Sequence, residues 1–236
     1  MQTLLEYLLP GSCALCKMRS KTSICDGCLQ DYMLNTAHRC QQCALPLTAL
    51  GDKRCGTCLK DTPDFDTTLV AVQYDAPVDS LVLGLKFGAK LNYAGIIAQQ
   101  LADAILRQST LSPVLPSLLC PVPLSRGRLA NRGFNQALEI SRPLSRRLGI
   151  PLQADLLWRT KETLQQSSLH PDARHKNIQG AFTVNPVWHT AIHGRHIAVI
   201  DDVITTGTTL NEIAKTLKRY GAARVSNFVF ARTNRH

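Results

Sequence analysis

The sequence contains no apolar run approaching the roughly 20 residues that a membrane-spanning helix needs, so no membrane insertion is expected. It has no low-complexity tract, no long linker and no recognisable internal repeat, which argues against disordered tethers and repeat arrays. The opening "MQTLLEYLLPGSC" has no basic residue ahead of its short apolar stretch, and its Cys13 belongs to a Cys-x-x-Cys pair, so an export signal is rejected and a cytoplasmic setting is expected. Acidic residues are in short supply: 17 Asp and Glu stand against 27 Lys and Arg, for a net charge of +10. That balance favours phosphate-bearing partners such as nucleotides, nucleic acid or an anionic surface. At 236 residues and 44% hydrophobic content, the chain can bury one medium core and carry a small appendage.

What is present in excess is cysteine. Eight of the nine cysteines form four Cys-x-x-Cys pairs, Cys13/Cys16, Cys25/Cys28, Cys40/Cys43 and Cys55/Cys58, while Cys120 stands apart. In a reducing compartment disulfides are rare, and four pairs in so short a segment favour metal over redox chemistry, which needs one pair. Two tetrahedral Cys₄ zinc sites follow, both closed and therefore structural. Pairing of neighbours is favoured, with Cys13, Cys16, Cys25 and Cys28 on one ion and Cys40, Cys43, Cys55 and Cys58 on the other. An interleaved arrangement of first with third and second with fourth pair stays open, because spacing does not fix connectivity.

A boundary is expected near "KDTPDFDTT", Lys60 to Thr68, where the cysteines stop. Residues 1–62 then form the zinc module and 63–236 the main domain. In the latter, strand-like runs ("LVAVQY", "LLCPVP", "AVIDDV", "RVSNFVFA") alternate with helical ones ("AGIIAQQLADAILRQ", "TLNEIAKTLKRYGA"), a pattern that means an α/β fold with a parallel sheet. Leu210, Ile213, Ala214 and Leu217 make the buried stripe of the last helix, and Gly221 is placed to end it. Pro143 should kink or restart the helix in "NQALEISRPLSRRLG".

The chemistry concentrates in "VIDDVITTGTTL", Val199 to Leu210. Ile197 to Ile200 reads as a buried strand with Asp201 and Asp202 at its carboxyl end, the side of an open α/β sheet where ligands bind. Thr205, Thr206, Gly207, Thr208 and Thr209 form the turn into the next helix. A glycine-centred turn opening a helix offers backbone N–H groups and a positive dipole end to a phosphate, and the small hydroxyls add donors. Two carboxylates just before it can accept hydrogen bonds from vicinal sugar hydroxyls. Together they describe a 5-phosphoribosyl group lying over one strand-to-helix turn. The basic loop "LSRGRLANRGFNQA" supplies Arg126, Arg128 and Arg132 to neutralise a pyrophosphate. The polar "RTKETLQQSSLHPDARHKNIQGAF" suits a segment closing over a ligand. Cys120 in its strand reads as an inert buried thiol, and His189, His193 and His196 read as the edge of a turn rather than a metal site.

The strand, Asp-Asp and Thr-Thr-Gly-Thr-Thr order resembles the phosphoribosyl pyrophosphate motif of type I phosphoribosyltransferases. With the four cysteine pairs, "PVPLSRGRLANRGFNQA", "RTKETLQQSSL" and "ARHKNIQGAF" in this order, nearly the whole chain resembles the ComF/GntX family. The resemblance implies a double zinc ribbon before a type I phosphoribosyltransferase-like parallel sheet flanked by helices, and a cytoplasmic role in natural transformation or nutritional use of DNA. It implies that Asp201 and Asp202 hold ribose hydroxyls, that Thr205 to Thr209 hold the 5′-phosphate, and that Arg132, Gly133 and Asn135 occupy the family loop. The expected partners are phosphoribosyl pyrophosphate with Mg²⁺, single-stranded DNA and proteins of a DNA-uptake machinery. The competing expectation is an active transferase, with Asp201, Asp202 and Arg132 as catalytic residues and Arg128 or Arg132 stabilising developing charge.

Overall fold

In the computed structural model the residues described are 11–34, 37–49, 51–109, 115–161 and 178–234. The chain starts with two small metal-knuckle units built alike. In the first, β1 (Gly11–Ser12) pairs antiparallel with β2 (Arg19–Ser20), and a short helical turn over Asp26–Cys28 carries the second cysteine pair. In the second, an antiparallel bridge between Arg39 and Pro46 replaces the ribbon and a turn over Gly56–Lys60 carries the last pair. The Lys17 N–H donates to the Cys13 carbonyl, and the Ala44 N–H to the Cys40 carbonyl. Both Lys17 and Ala44 are left-handed, with φ of 65° and 60°. The absence of a repeat expected from the sequence is thereby corrected: the two units repeat in backbone geometry, while sharing little side-chain identity beyond the cysteines.

The main sheet is parallel, in the order β3 (Thr67–Gln73), β8 (Arg224–Arg232), β7 (His196–Ile204), β4 (Leu118–Pro121). A separate antiparallel pair joins β5 (Leu157–Arg159) to β6 (Phe182–Val184). The helices are α1 (Asp79–Phe87), α2 (Asn92–Ser109), α3 (Arg126–Arg132), α4 (Gln136–Leu148) and α5 (Thr208–Arg219). Successive residues of a strand point to opposite faces. In β7, Ala198 and Ile200 join one apolar cluster and Ile197 and Val199 the other. The first cluster contains α1, α2 and α4 through Leu81, Leu85, Ile97, Leu101, Ile140 and Leu144. The second contains α5 through Leu210, Ile213, Ala214 and Leu217, the stripe expected from the sequence. Gly221 follows that helix at φ +92°.

The knuckle units are built into these layers. Cys13 and Cys28 belong to the first cluster, and Cys40, Cys43 and Cys58 to the second. Gln42 donates to the carbonyls of Pro63 and Phe65, and the Thr68 N–H donates to the Gln41 carbonyl.

Two local expectations are corrected. The helix α4 does not restart at Pro143 but is a single element through it. The proline removes one helical donor, but Ala137, Ile140, Ser141 and Leu144 are buried on both sides of it and keep the two halves packed. The basic loop contains α3, which buries none of its residues, so no apolar period marked it; Ser125 caps it by accepting from the Arg128 N–H. Among the described residues no helix is long and apolar enough to cross a membrane.

Candidate functional site

Strand β4 ends at Pro121, opposite Ile200, whereas β7 continues to Ile204. Asp201 and Asp202 are therefore the first residues of β7 to project past the end of β4, inside the strand rather than after it. The helices flanking the sheet here lie on opposite faces, α4 against β7 in the first cluster and α5 against β8 in the second, so a crevice opens at this carboxyl edge. A cavity of about 320 Å³ occupies it, lined by Asp201, Asp202, the whole of Thr205 to Thr209 and Arg128. Arg126 and Arg132 do not line it. Arg132 stands one side chain back: its guanidinium lies over the Phe87 ring at 5.5 Å and its Nη1 donates to the Gln136 Oε1, which does face the cavity.

The turn opens α5 onto the cavity. Gly207 precedes α5 at φ +82°. A Cβ there would meet Ile204 only at 3.5 Å, so the left-handed backbone, and not space, requires glycine. The Thr206 and Thr208 hydroxyls lie 2.9 Å apart, and α5 runs twelve residues behind them, aligning its dipole on the cavity.

The carboxylates differ sharply. Asp202 is buried, with 2% of its surface exposed, and forms an ion pair with Lys86 of α1. Asp201 accepts a 2.9 Å hydrogen bond from the Asp202 N–H. Burial and then the neighbouring Asp202 carboxylate hold the Asp201 pKa well above the usual carboxylate range, against the opposing pull of Lys86. Lys86, Tyr74, Gln136 and Arg159 all line the cavity and were not identified as site residues from sequence. Of these, Lys86 had one signal: it lies four residues after the buried Val82, at the edge of an otherwise apolar helical face. Residues 162–177, most of the segment expected to close over a ligand, lie outside the described residues.

The eight paired thiols gather into two tetrads, Cys13, Cys16, Cys25, Cys28 and Cys40, Cys43, Cys55, Cys58, with all sulfurs of a tetrad within 4.8 Å. Neighbouring pairs therefore combine, and the interleaved arrangement is excluded. The Sγ atoms of Cys16 and Cys25 are 3.7 Å apart, and those of Cys43 and Cys55 3.6 Å. A Zn–S bond of 2.3 Å implies a tetrahedral edge of about 3.8 Å. The electrostatics agree. Burial raises the Cys13 thiol, yet backbone N–H groups of Cys25, Cys16 and Leu15 outweigh it and bring it down to about 6, while burial and the adjoining thiols push Cys28 up to about 12. A zinc ion held by all four would remove that conflict by ionising them.

The three histidines do not converge. His196 contacts the Ser226 hydroxyl at 2.7 Å, His189 packs on the Tyr220 ring, and His193 lies against Gly221. Cys120 is fully buried, and burial pushes its thiol up, as suits an inert side chain.

A parallel sheet with an acidic pair and a threonine–glycine turn at its carboxyl edge, behind two cysteine tetrads, defines a phosphoribosyltransferase-type domain joined to a double zinc ribbon. Residues 135–236 match the phosphoribosyl transferase domain and residues 4–59 the double zinc ribbon domain. The chain belongs to the ComF/GntX family. It is 33% identical over 229 residues to the DNA utilization protein YhgH of Escherichia coli (strain K12), covering 95% of this chain and 98% of that protein. It is 33% identical over 214 residues to Competence protein F of Haemophilus influenzae, covering 90% and 92%. A further match is Competence protein ComFC of Bacillus subtilis, 36% identical over 129 residues, covering 53% and 50%.

Proposed function

We propose that the protein binds phosphoribosyl pyrophosphate in the cavity at the end of β7 and grips single-stranded DNA, serving the uptake or nutritional use of DNA in the cytoplasm. The observation that carries the reading is the single cavity in which Asp201, Asp202, Thr205 to Thr209 and Arg128 converge. Asp201 and Asp202 would hold ribose hydroxyls, the start of α5 the 5′-phosphate, and Arg128 the pyrophosphate. Mg²⁺ arriving with the ligand would offset the charge of its phosphates in this cavity, beside Asp201 and Asp202. The names of the relatives, which speak of DNA utilization and competence, support the DNA role, as does the net charge of +10. The division into a zinc unit over 1–62 and a phosphoribosyltransferase-like unit over 63–236, and contact with DNA-uptake proteins, belong to the same proposal. A second reading, transfer of the phosphoribosyl group to an acceptor with release of pyrophosphate, is favoured by Arg128 in the lining, with Asp201, Asp202 and Arg132 as its machinery.

One experiment separates the readings. Protein, Mg²⁺ and phosphoribosyl pyrophosphate are incubated with a panel of bases, nucleotides and amines while pyrophosphate release is followed, and single-stranded DNA binding is measured across salt. Binding of both ligands without release, and with an affinity that falls by about 0.7 in log–log slope per phosphate engaged, supports the binding role. Release with one acceptor establishes the transferase. DNA affinity indifferent to salt, or no binding of the sugar phosphate, refutes the corresponding half of the proposal.

A further inference from the structure

Lys86 reaches the cavity from a helix that sequence reading did not identify. Leu81, Val82 and Leu85 of α1 are fully buried, and the ring of Tyr93 presses so closely on Gly84 that a Cβ there would lie 2.7 Å from it. The backbone under Lys86 is thus fixed by packing, and its free variable is its own side chain. That side chain, 22% exposed, ends on the Asp202 carboxylate, whose own side chain is 3% exposed. The Asp202 Oδ2 atom takes this ion pair and has no further hydrogen-bond partner.

The proposed function, on which this inference rests, requires Asp202 to accept hydrogen bonds from ribose hydroxyls. Those hydroxyls compete with the ammonium for the same carboxylate. A sugar that claims Asp202 leaves a lysine charge beside the cavity, and an unpaired charge in a partly desolvated site is costly. The ligand can supply the replacement. The phosphate donors cluster at the start of α5, where one phosphoryl group suffices, while Lys86 and Arg128 line the same cavity. Those two cations suit a second, more highly charged group on the sugar.

We infer that Lys86 is the ligand-discriminating residue of this cavity: it neutralises Asp202 in the free protein and, once ribose hydroxyls claim that carboxylate, pairs with a diphosphate on the anomeric carbon. A ribose bearing only a 5′-phosphate displaces Lys86 without giving it a partner. The site therefore prefers a sugar phosphorylated at both ends.

The test is calorimetry of the parent and Lys86→Gln with phosphoribosyl pyrophosphate and with ribose 5-phosphate, both with Mg²⁺ and the zinc-loaded full chain. Glutamine can still donate a hydrogen bond to Asp202 but carries no charge. Losing one charge-assisted contact should weaken phosphoribosyl pyrophosphate about tenfold or more, and ribose 5-phosphate by less than about twofold. Lys86→Arg should restore the difference between the ligands. Equal losses for both ligands would make Lys86 a mere support for Asp202 and overturn the inference. So would an unchanged affinity for the diphosphate in a parent that binds it, a result that leaves the proposed function standing. A parent that binds neither ligand overturns both. Should Lys86→Gln not fold, acylation of lysines in the parent, read by mass spectrometry, decides: ribose 5-phosphate should speed modification of Lys86 and phosphoribosyl pyrophosphate should slow it, and equal effects sink the idea.

Discussion

Replacing Asp201 and Asp202 by asparagine one at a time should give opposite results in stability, though both are expected to impair the sugar site. Asp202→Asn removes the negative partner of Lys86 from a buried position. Breaking a fully buried pair costs about 3–5 kcal/mol, but Lys86 keeps 22% of its side chain in solvent and the asparagine carbonyl still accepts from it, so about 1–3 kcal/mol is expected. For a chain of this length that lowers Tm by roughly 2–12 °C. Asp201→Asn keeps an oxygen to accept the Asp202 N–H and removes the like charge beside it, so its stability should hold within about 0.5 kcal/mol or rise. The pH dependence fixes the sign. Because the folded pKa of Asp201 is raised, the folded state binds a proton that the unfolded state has released, and the parent loses stability as pH rises from about 4 toward that folded value. Asp201→Asn lacks that titration, so its advantage over the parent should grow with pH over the same window. Thermal melts of zinc-loaded protein from pH 4.5 to 8.5 test this. Asp201→Asn melting as low as Asp202→Asn, or an advantage that shrinks as pH rises, would refute the argument.

Two other outcomes follow from the geometry. Elemental analysis of reduced protein should find two zinc ions per chain, and Cys25→Ser should retain one of them, since its tetrad is separate from that of Cys40, Cys43, Cys55 and Cys58; retention of both would place a metal elsewhere. Gly221→Ala should destabilise by about 1–3 kcal/mol, because it forces a Cβ to 2.6 Å from the His193 ring at a φ of +92°; a melt unchanged from the parent would show that His193 yields freely.

Much of this was legible because local chemistry and tertiary packing agree. In α5 the buried stripe, the glycine before it and Gly221 after it each serve the same helix, and a reading of any one supports the others. The site motif was visible for the same reason: strand, carboxylates and turn are contiguous. Lys86 was not, since it meets Asp202 only through the fold, and its helix lacks a side-chain cap and contains Gly84, a residue that weakens helices. α4 did not restart at its proline because burial on both sides outweighs one missing donor. The pairing of the cysteines was ambiguous because equal Cys-x-x-Cys spacings carry no order. The likeness of the two knuckle units was hidden in two backbone torsions, at Lys17 and Ala44, that neither residue type announces.

The placement of the thiols on opposite sides of the sheet means that each metal acts as a rivet through a different layer. An ion in the first tetrad would fasten the side holding α1, α2 and α4, with Lys86 and Gln136 of the cavity lining; one in the second would fasten the side holding α5 and the turn before it. Loss of one ion then loosens one side only. Zinc depletion would not loosen the molecule as a whole but in an order set by the two affinities, and because Lys86 and Gln136 line the cavity from the first side and the turn into α5 from the second, the cavity would answer to both tetrads.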